Sequence, residues 1–468
     1  MHRSSLILLL VAALASCKEH NNEYCDGTQG MADPANCPPD SPTGCTMDNE
    51  CGGRICDTAA HECVECLSTR PEACAGTTPV CSDDRTCEAC TSHAQCTGSN
   101  ACLPDGSCGD DANVAYVAGS GSGTTCTRLA PCPSVTTALA TNRPYVKIEG
   151  TIDEAVTISG GRDVVLLASP QAKLTRTSGS GAILTVRDDG TTVSVFDLTI
   201  ADAPNNLSGV GIVVPAASGA PSISLTRVKI DNNPGGGISS SGGTLTVSQS
   251  TLSNNAGGGI SSSGGTLTVS QSTLSNNAGG GISSSGGTLT VSQSTLSNNA
   301  GGGISVMNGT FAIVGNVFFN NGSDSTLVGG ISVGTAQNAA NRLEFNSFHR
   351  NKAQDSLGCA IQCLAGTFTA KNNIMSGNAT AANMQQTGGT CAHAYSIARP
   401  GSVPTGTGNS AADPLFADVN TGDLHIMATS PARSMADPNS NLTGLAARDI
   451  DGDARANPAD IGADEVSP

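Results

Sequence analysis

Residues 235–256 read GGGISSSGGTLTVSQSTLSNNA. The same 22 residues return unchanged at 257–278 and 279–300, and a divergent copy, GGGISVMNGTFAIVGNVFFNNG, fills 301–322. Exact self-similarity at this period is the mark of a solenoid, in which each unit buries its apolar residues against the next. Within one unit Ile238, the alternating Thr244-Leu245-Thr246-Val247 and Thr251-Leu252-Ser253 read as three short strands, parted by Gly-rich or Asn-rich turns. Helical repeats are excluded by the lack of helix formers. Leucine-rich repeats are excluded by the missing LxxLxL core, and calcium-binding nonapeptide repeats by the absence of Asp from these coils. Three strands per ~22-residue turn predict an all-β, right-handed, single-stranded parallel β-helix, with coils ~4.8 Å apart.

The divergent copy tests which residues face inward. Leu245 becomes Phe311, Val247 becomes Ile313, Leu252 becomes Phe318, and Ile238 remains Ile304. Positions that stay apolar through such change are expected to line a packed interior. The paired asparagines Asn254 and Asn255 recur as Asn276 and Asn277, Asn298 and Asn299, Asn320 and Asn321. Stacked in parallel they can hydrogen-bond along the axis as ladders, and Asn tolerates the left-handed turn conformation. Looser coils extend both ways, at Val193, Val195, Leu198 and Ile200 upstream and at Phe348 to Asn351 downstream.

Composition agrees with an economical core. The 468 residues include 57 Gly, no Trp, 3% aromatics and 13% charged residues, with a net charge of −17. The sign of the charge argues against nucleic acid as a partner. The excess of Gly argues against a coiled coil.

The first part of the chain concerns export. Residues 1–16 combine a basic start with an apolar stretch, Leu6 to Leu14, too short to span a bilayer. The following Leu14-Ala15-Ser16-Cys17 resembles the bacterial lipobox. That resemblance implies cleavage before Cys17, acylation of its thiol, and a lipid bilayer as first partner. With Lys18 next, it implies an outer-membrane or cell-surface address. Residues 17–112 are acidic and Cys-rich. From Lys18 to Asp111 there are 17 acidic and four basic residues. Cys25 and Cys37 precede three similar units: Cys45, Cys51, Cys56 and Cys63; Cys66, Cys74, Cys81 and Cys87; Cys90, Cys96, Cys102 and Cys108. In an oxidising compartment these read as structural disulfides rather than metal ligands, with three pairings open in each unit. Cys126 and Cys132 are expected to bridge a loop, and Cys359, Cys363 and Cys391 form an odd group. The Cys-rich units resemble those near the N-termini of Gram-negative surface lipoproteins, which implies a solvated spacer.

Residues 113–144 are expected to cover the first coil, with a short helix N-capped near Ser134, and residues 145–400 to form the solenoid. The recurring apolar-x-x-Asn and Gly-Gly-x-Ile are similar to the repeats of polymorphic outer-membrane autotransporter passengers. More broadly, residues 113–468 look like the pectate-lyase-like β-helix superfamily. Over 401–468, Asp413-Pro414-Leu415-Phe416, Gly422-Asp423-Leu424-His425, Ser430-Pro431-Ala432, Asp449-Ile450-Asp451-Gly452 and Asp460-Ile461-Gly462-Ala463 resemble the choice-of-anchor Q domain. This implies a C-terminal cap.

Chemistry is sparse. From Asn232 to Ser323 there is no Asp, Glu, Lys, Arg or His, so the middle coils cannot hold an acid–base or lyase site by themselves. No catalytic residue stands out. His349, His393 and His425 are expected to be structural. Asp449, Asp451, Asp453 and Asp460 suggest a weak EF-type calcium loop, but Ala454 replaces the sixth-position Gly and Pro458 intrudes. No other cofactor is expected. These observations favour a non-catalytic structural or adhesive scaffold, with glycans or surface proteins as partners. The alternative is a polysaccharide lyase, hydrolase or glycan-binding module.

Overall fold

The computed structural model describes residues 44–466, except 217–218, 336–337, 339, 356, 367, 380–383 and 402. Cys17, Cys25 and Cys37 therefore lie outside the described residues. The described chain divides into two compact units, one ending at Cys108 and the other running from Gly109 to Pro468.

In the first unit six disulfides do what an apolar core does elsewhere. Cys45–Cys56 and Cys51–Cys63, Cys66–Cys81 and Cys74–Cys87, and Cys90–Cys102 and Cys96–Cys108 repeat one connectivity, first to third and second to fourth. Short antiparallel pairs such as Ile55–Asp57 with Glu62–Val64 set the cysteines at these spacings. Crosslinks of 11 to 15 residues restrict the unfolded chain where there is little aliphatic surface to bury.

The second unit is a parallel β-helix. Its strands stack into three sheets of 12, 11 and 10 strands, and each coil contributes one strand to each sheet. The 22-residue repeat fixes the register: Leu245 pairs with Leu267, Leu267 with Leu289, and Leu289 with Phe311. Ile238, Leu245, Val247 and Leu252, with their equivalents in the next three coils, are buried. The side chains that alternate with them face outward, as period two requires. In the divergent and following coils the interior holds stacked aromatics: Phe318 and Phe348 lie 4.7 Å apart at 11°. Gly258 and its equivalents Gly280 and Gly302 hold φ of +107 to +111°, a left-handed turn that strains any L side chain.

Two boundaries differ from the sequence reading. Val114–Ala118, expected in an N-terminal cap, is the first strand of the twelve-stranded sheet, pairing in parallel with Tyr145–Glu149. The helix Val135–Leu139 does follow, N-capped by Ser134, and the Cys126–Cys132 disulfide closes the loop before it. The C-terminal region also does more than close the end. Ser410 pairs with the last coil at Ile397, but later residues fold back along the flank. Ala463 N–H donates to Ser347 Oγ, Gly462 N–H to Asn372 O, and Gln293 Nε2 to Asp449 O. A second apolar cluster forms there, joining Phe416, Leu424, Ile426 and Ile461 to Val314, Val317, Phe345, Ile374 and Ile397 of the coils. Outward-facing apolar residues on those coils explain the placement, since they need cover.

The odd cysteines resolve into a Cys363–Cys391 disulfide and a buried Cys359 thiol. Among the described residues no helix is long and apolar enough to cross a membrane.

Candidate functional site

The asparagine pairs divide by role. Asn255, Asn277, Asn299 and Asn321 are buried, and each Nδ2 donates to Oδ1 of the Asn one coil on, at 2.9–3.0 Å. The same Oδ1 accepts the backbone N–H of the preceding Asn, and a second bond from Nδ2 reaches a carbonyl of the coil before. The ladder runs from Asn233 to Asn378. By contrast Asn254, Asn276, Asn298 and Asn320 sit at φ of 54–57° and are turn residues. Of these, Asn320 donates to Asn298 across the coils and Asn254 turns to Asp231, so the expected ladder is built by the second Asn of each pair.

A second ladder escaped the sequence reading. Ser272 Oγ accepts Ser250 N–H, Ser294 Oγ accepts Ser272 N–H, and Asn316, Asn346 and Asn373 continue the series through their Oδ1 atoms. Ser and Asn exchange freely here because only one acceptor atom is needed, so no single residue type marks the series.

The four proposed calcium ligands do not converge. Both oxygens of Asp449 accept backbone N–H groups, from Asp451, Asp453 and Glu465, and Asp460 accepts those of Ser434 and Val466. The Asp449 and Asp460 carboxylates thus accept backbone donors and shape the C-terminal chain. Arg455 is buried over the Phe345 ring, 4.5 Å from its centroid, and donates to Gly462 O and Ala463 O. Burial works against its charge, and the surrounding Glu465, Asp449, Asp464 and Asp460 work for it.

Asp451 lies beside His425. A cleft of about 350 Å³ lies between the C-terminal region and the coils, lined by Gln271, Thr273, Gln293, Thr295, His425 and Asp451. His425 Nδ1 contacts Asp423 Oδ1, while Nε2 lies 2.9 Å from Asp451 Oδ2. The ligating atoms of His425, Asp451 and Asp464 all fall within 4.8 Å of one another. Burial disfavours the imidazolium, but Asp423, Asp451 and Asp464 outweigh it and hold the His425 pKa above its ordinary value. Burial pushes the Asp464 carboxyl up, against the Ile426 N–H that its Oδ2 accepts. Glu465 is likewise pushed up by burial, beside Asp460.

The folding back along the flank is what assembles this group. His425 comes from the strand Asp423–Ile426, Asp451 from a loop, and Asp464 from the last described residues. The expectation that His425 is merely structural missed the association, as it missed Asp464. The acidic run Asp460 to Glu465 was the available signal, but its partner is 35 residues or more upstream. His349 and His393 lie elsewhere, both in parallel strands or at their ends. A second depression, of about 530 Å³, is lined by Asn298, Asn320, Asp324 and Lys352.

A family model for the right-handed β-helix region matches residues 208–394. Among solved structures, a crystal structure of pectate lyase Pel9A resembles the chain with a TM-score of 0.45 at 13% identity, covering 76% of this chain and 96% of that one. No curated protein matches.

Proposed function

We propose that the right-handed parallel β-helix serves as an exported, lipid-anchored scaffold that binds uncharged polysaccharide or a neighbouring surface protein without chemical turnover. The observation that carries this reading is the set of identical polar rows on the outer faces. Ser239, Ser261 and Ser283 pair in register on one sheet, and Thr244, Thr266, Thr288 and Thr310 on another. Gln249 stands at one corner of the same coils. Rows at strand spacing present hydroxyl and amide groups every ~4.8 Å. A ligand with its own repeat can engage several at once, so weak contacts gain from multivalency. No charged side chain interrupts these rows from Asn232 to Ser323.

Anchoring is proposed through Cys17 and the bilayer, with the disulfide-rich unit as spacer. Two acyl signals or more are what stable attachment requires. Labelled fatty acid should enter the parent protein and not Cys17→Ser, and the variant should leave the membrane fraction. Label retained in Cys17→Ser would overturn the anchor. For binding, the soluble form is applied to a glycan array and to polysaccharide columns, alongside an assay for newly released reducing ends. Retention without release supports the scaffold.

A polysaccharide-active enzyme is the second reading, and the His425, Asp451 and Asp464 group favours it. His425 and Asp451 line the cleft, where they could exchange protons with a bound ligand. Release of reducing ends that is abolished in Asp451→Asn would establish it.

A further inference from the structure

We propose that His425, Asp451 and Asp464 form a binding site for a divalent transition metal of the zinc class, with Asp423 holding the imidazole in place.

Three observations converge. First, ligand atoms of three different segments, one nitrogen and two carboxylate oxygens, lie within 4.8 Å of one another. Around Zn²⁺, with N and O ligands at about 2.1 Å, tetrahedral ligand atoms stand about 3.4 Å apart, so the group needs little adjustment. Second, His425 Nε2 is shielded from solvent and makes no hydrogen bond, although Asp451 Oδ2 is only 2.9 Å away. A ring nitrogen aimed at a carboxylate without hydrogen-bond geometry is explained if its lone pair points at a shared cation. Third, the supporting contacts are those of a ligating histidine. Asp423 takes Nδ1, which fixes the tautomer that leaves Nε2 as the donor to metal. Asp464, only 6% exposed, has Oδ2 held by the Ile426 N–H.

The donor set selects the metal. Calcium takes six to eight oxygens and has little use for imidazole, whereas one imidazole with two carboxylates suits zinc and its neighbours. The fourth position opens into the cleft beside Gln271 and Gln293, where water or a ligand hydroxyl has room. Bound there, the ion would tie the strand Asp423–Ile426, the Asp451 loop and the C-terminal end together.

The test uses the full mature chain in detergent, disulfides intact, without a histidine tag, and stripped with chelator. Zn²⁺ is titrated by calorimetry, and Co²⁺ is followed by its visible absorption. One equivalent of Zn²⁺ should bind and raise the melting temperature. His425→Ala and Asp451→Asn should each weaken binding at least tenfold while melting like the parent without metal. Asp423→Asn should weaken it about ten- to a hundredfold with the stoichiometry kept. No zinc bound by the parent, unchanged affinity in His425→Ala, or displacement by an equal concentration of Ca²⁺ would each overturn the assignment. Because binding is read directly, its failure is distinct from failure of the scaffold reading.

Discussion

Single side chains carry the continuity of the solenoid. Asn277 satisfies the backbone N–H of Asn255 and the carbonyl of Leu252, and bonds Asn255 and Asn299 besides. Replacing it with Ala orphans buried groups at about 1–3 kcal/mol each. Asn277→Ala is therefore expected to cost about 3 kcal/mol or more, seen as a lower urea midpoint. The Ser/Asn ladder should behave differently. Ser294→Ala removes the acceptor for Ser272 N–H and is expected to cost about 1–3 kcal/mol. Ser294→Asn supplies an equivalent acceptor beside Asn316 and should stay within about 1 kcal/mol of the parent. His393 makes a third residue-level prediction. It is buried, its Nδ1 lacks a hydrogen bond, and burial lowers its pKa to about 4. The unfolded imidazole titrates near 6.5, so between pH 6.5 and 4 the unfolded chain holds more protons. The contribution is thus complete above pH 6.5 and is lost as pH falls toward 4, by about 3 kcal/mol in all. Melts of the parent and His393→Gln at pH 7 and 4.5 should show a smaller pH difference in the variant.

Coils are the natural unit at the next scale. Deleting 257–278 sets residues 235–256 against 279–300, restoring the Ile238 to Ile282, Leu245 to Leu289 and Asn255 to Asn299 stacks. Stability is expected to fall by about one coil and one interface, since such terms are nearly additive in solenoids. Deleting only 257–267 joins half a coil, places Gly-rich turns against strands and turns leucines outward. That variant should melt far lower or fail to fold. Equal melts for the two deletions would refute the register. The three identical coils also bear on binding: removing one should weaken a multivalent ligand stepwise and leave Zn²⁺ affinity unchanged, provided the coils against the C-terminal region are kept.

Across the whole chain, two units rely on different forces. Among the described residues, the unit ending at Cys108 holds six disulfides and few buried aliphatic side chains, while the solenoid buries a continuous aliphatic column. Mild reduction should therefore abolish ordered structure in the first unit, read as proteolysis within 45–108. The β-sheet melt of 109–468 should persist, because the hydrophobic column does not depend on crosslinks. Simultaneous loss of both would show that the solenoid depends on its disulfides.

The sequence by itself determined the solenoid, its period, the inward residues and the grouping of twelve cysteines into three units. These follow from local periodicity and from identical copies, which can stack in only one register without turning Leu245 and its equivalents to solvent. Three things were decided only by tertiary structure. Which Asn of each pair builds the ladder depends on the turn geometry that puts Asn254 at positive φ and Asn255 inside. The Ser/Asn series was hidden because hydrogen bonding to backbone constrains one atom rather than a residue type. The meeting of His425, Asp451 and Asp464 arose from the C-terminal chain folding back to cover apolar residues such as Val317 and Phe345. A sequence records that surface needing burial exists, but which distant segment buries it is settled by the three-dimensional packing.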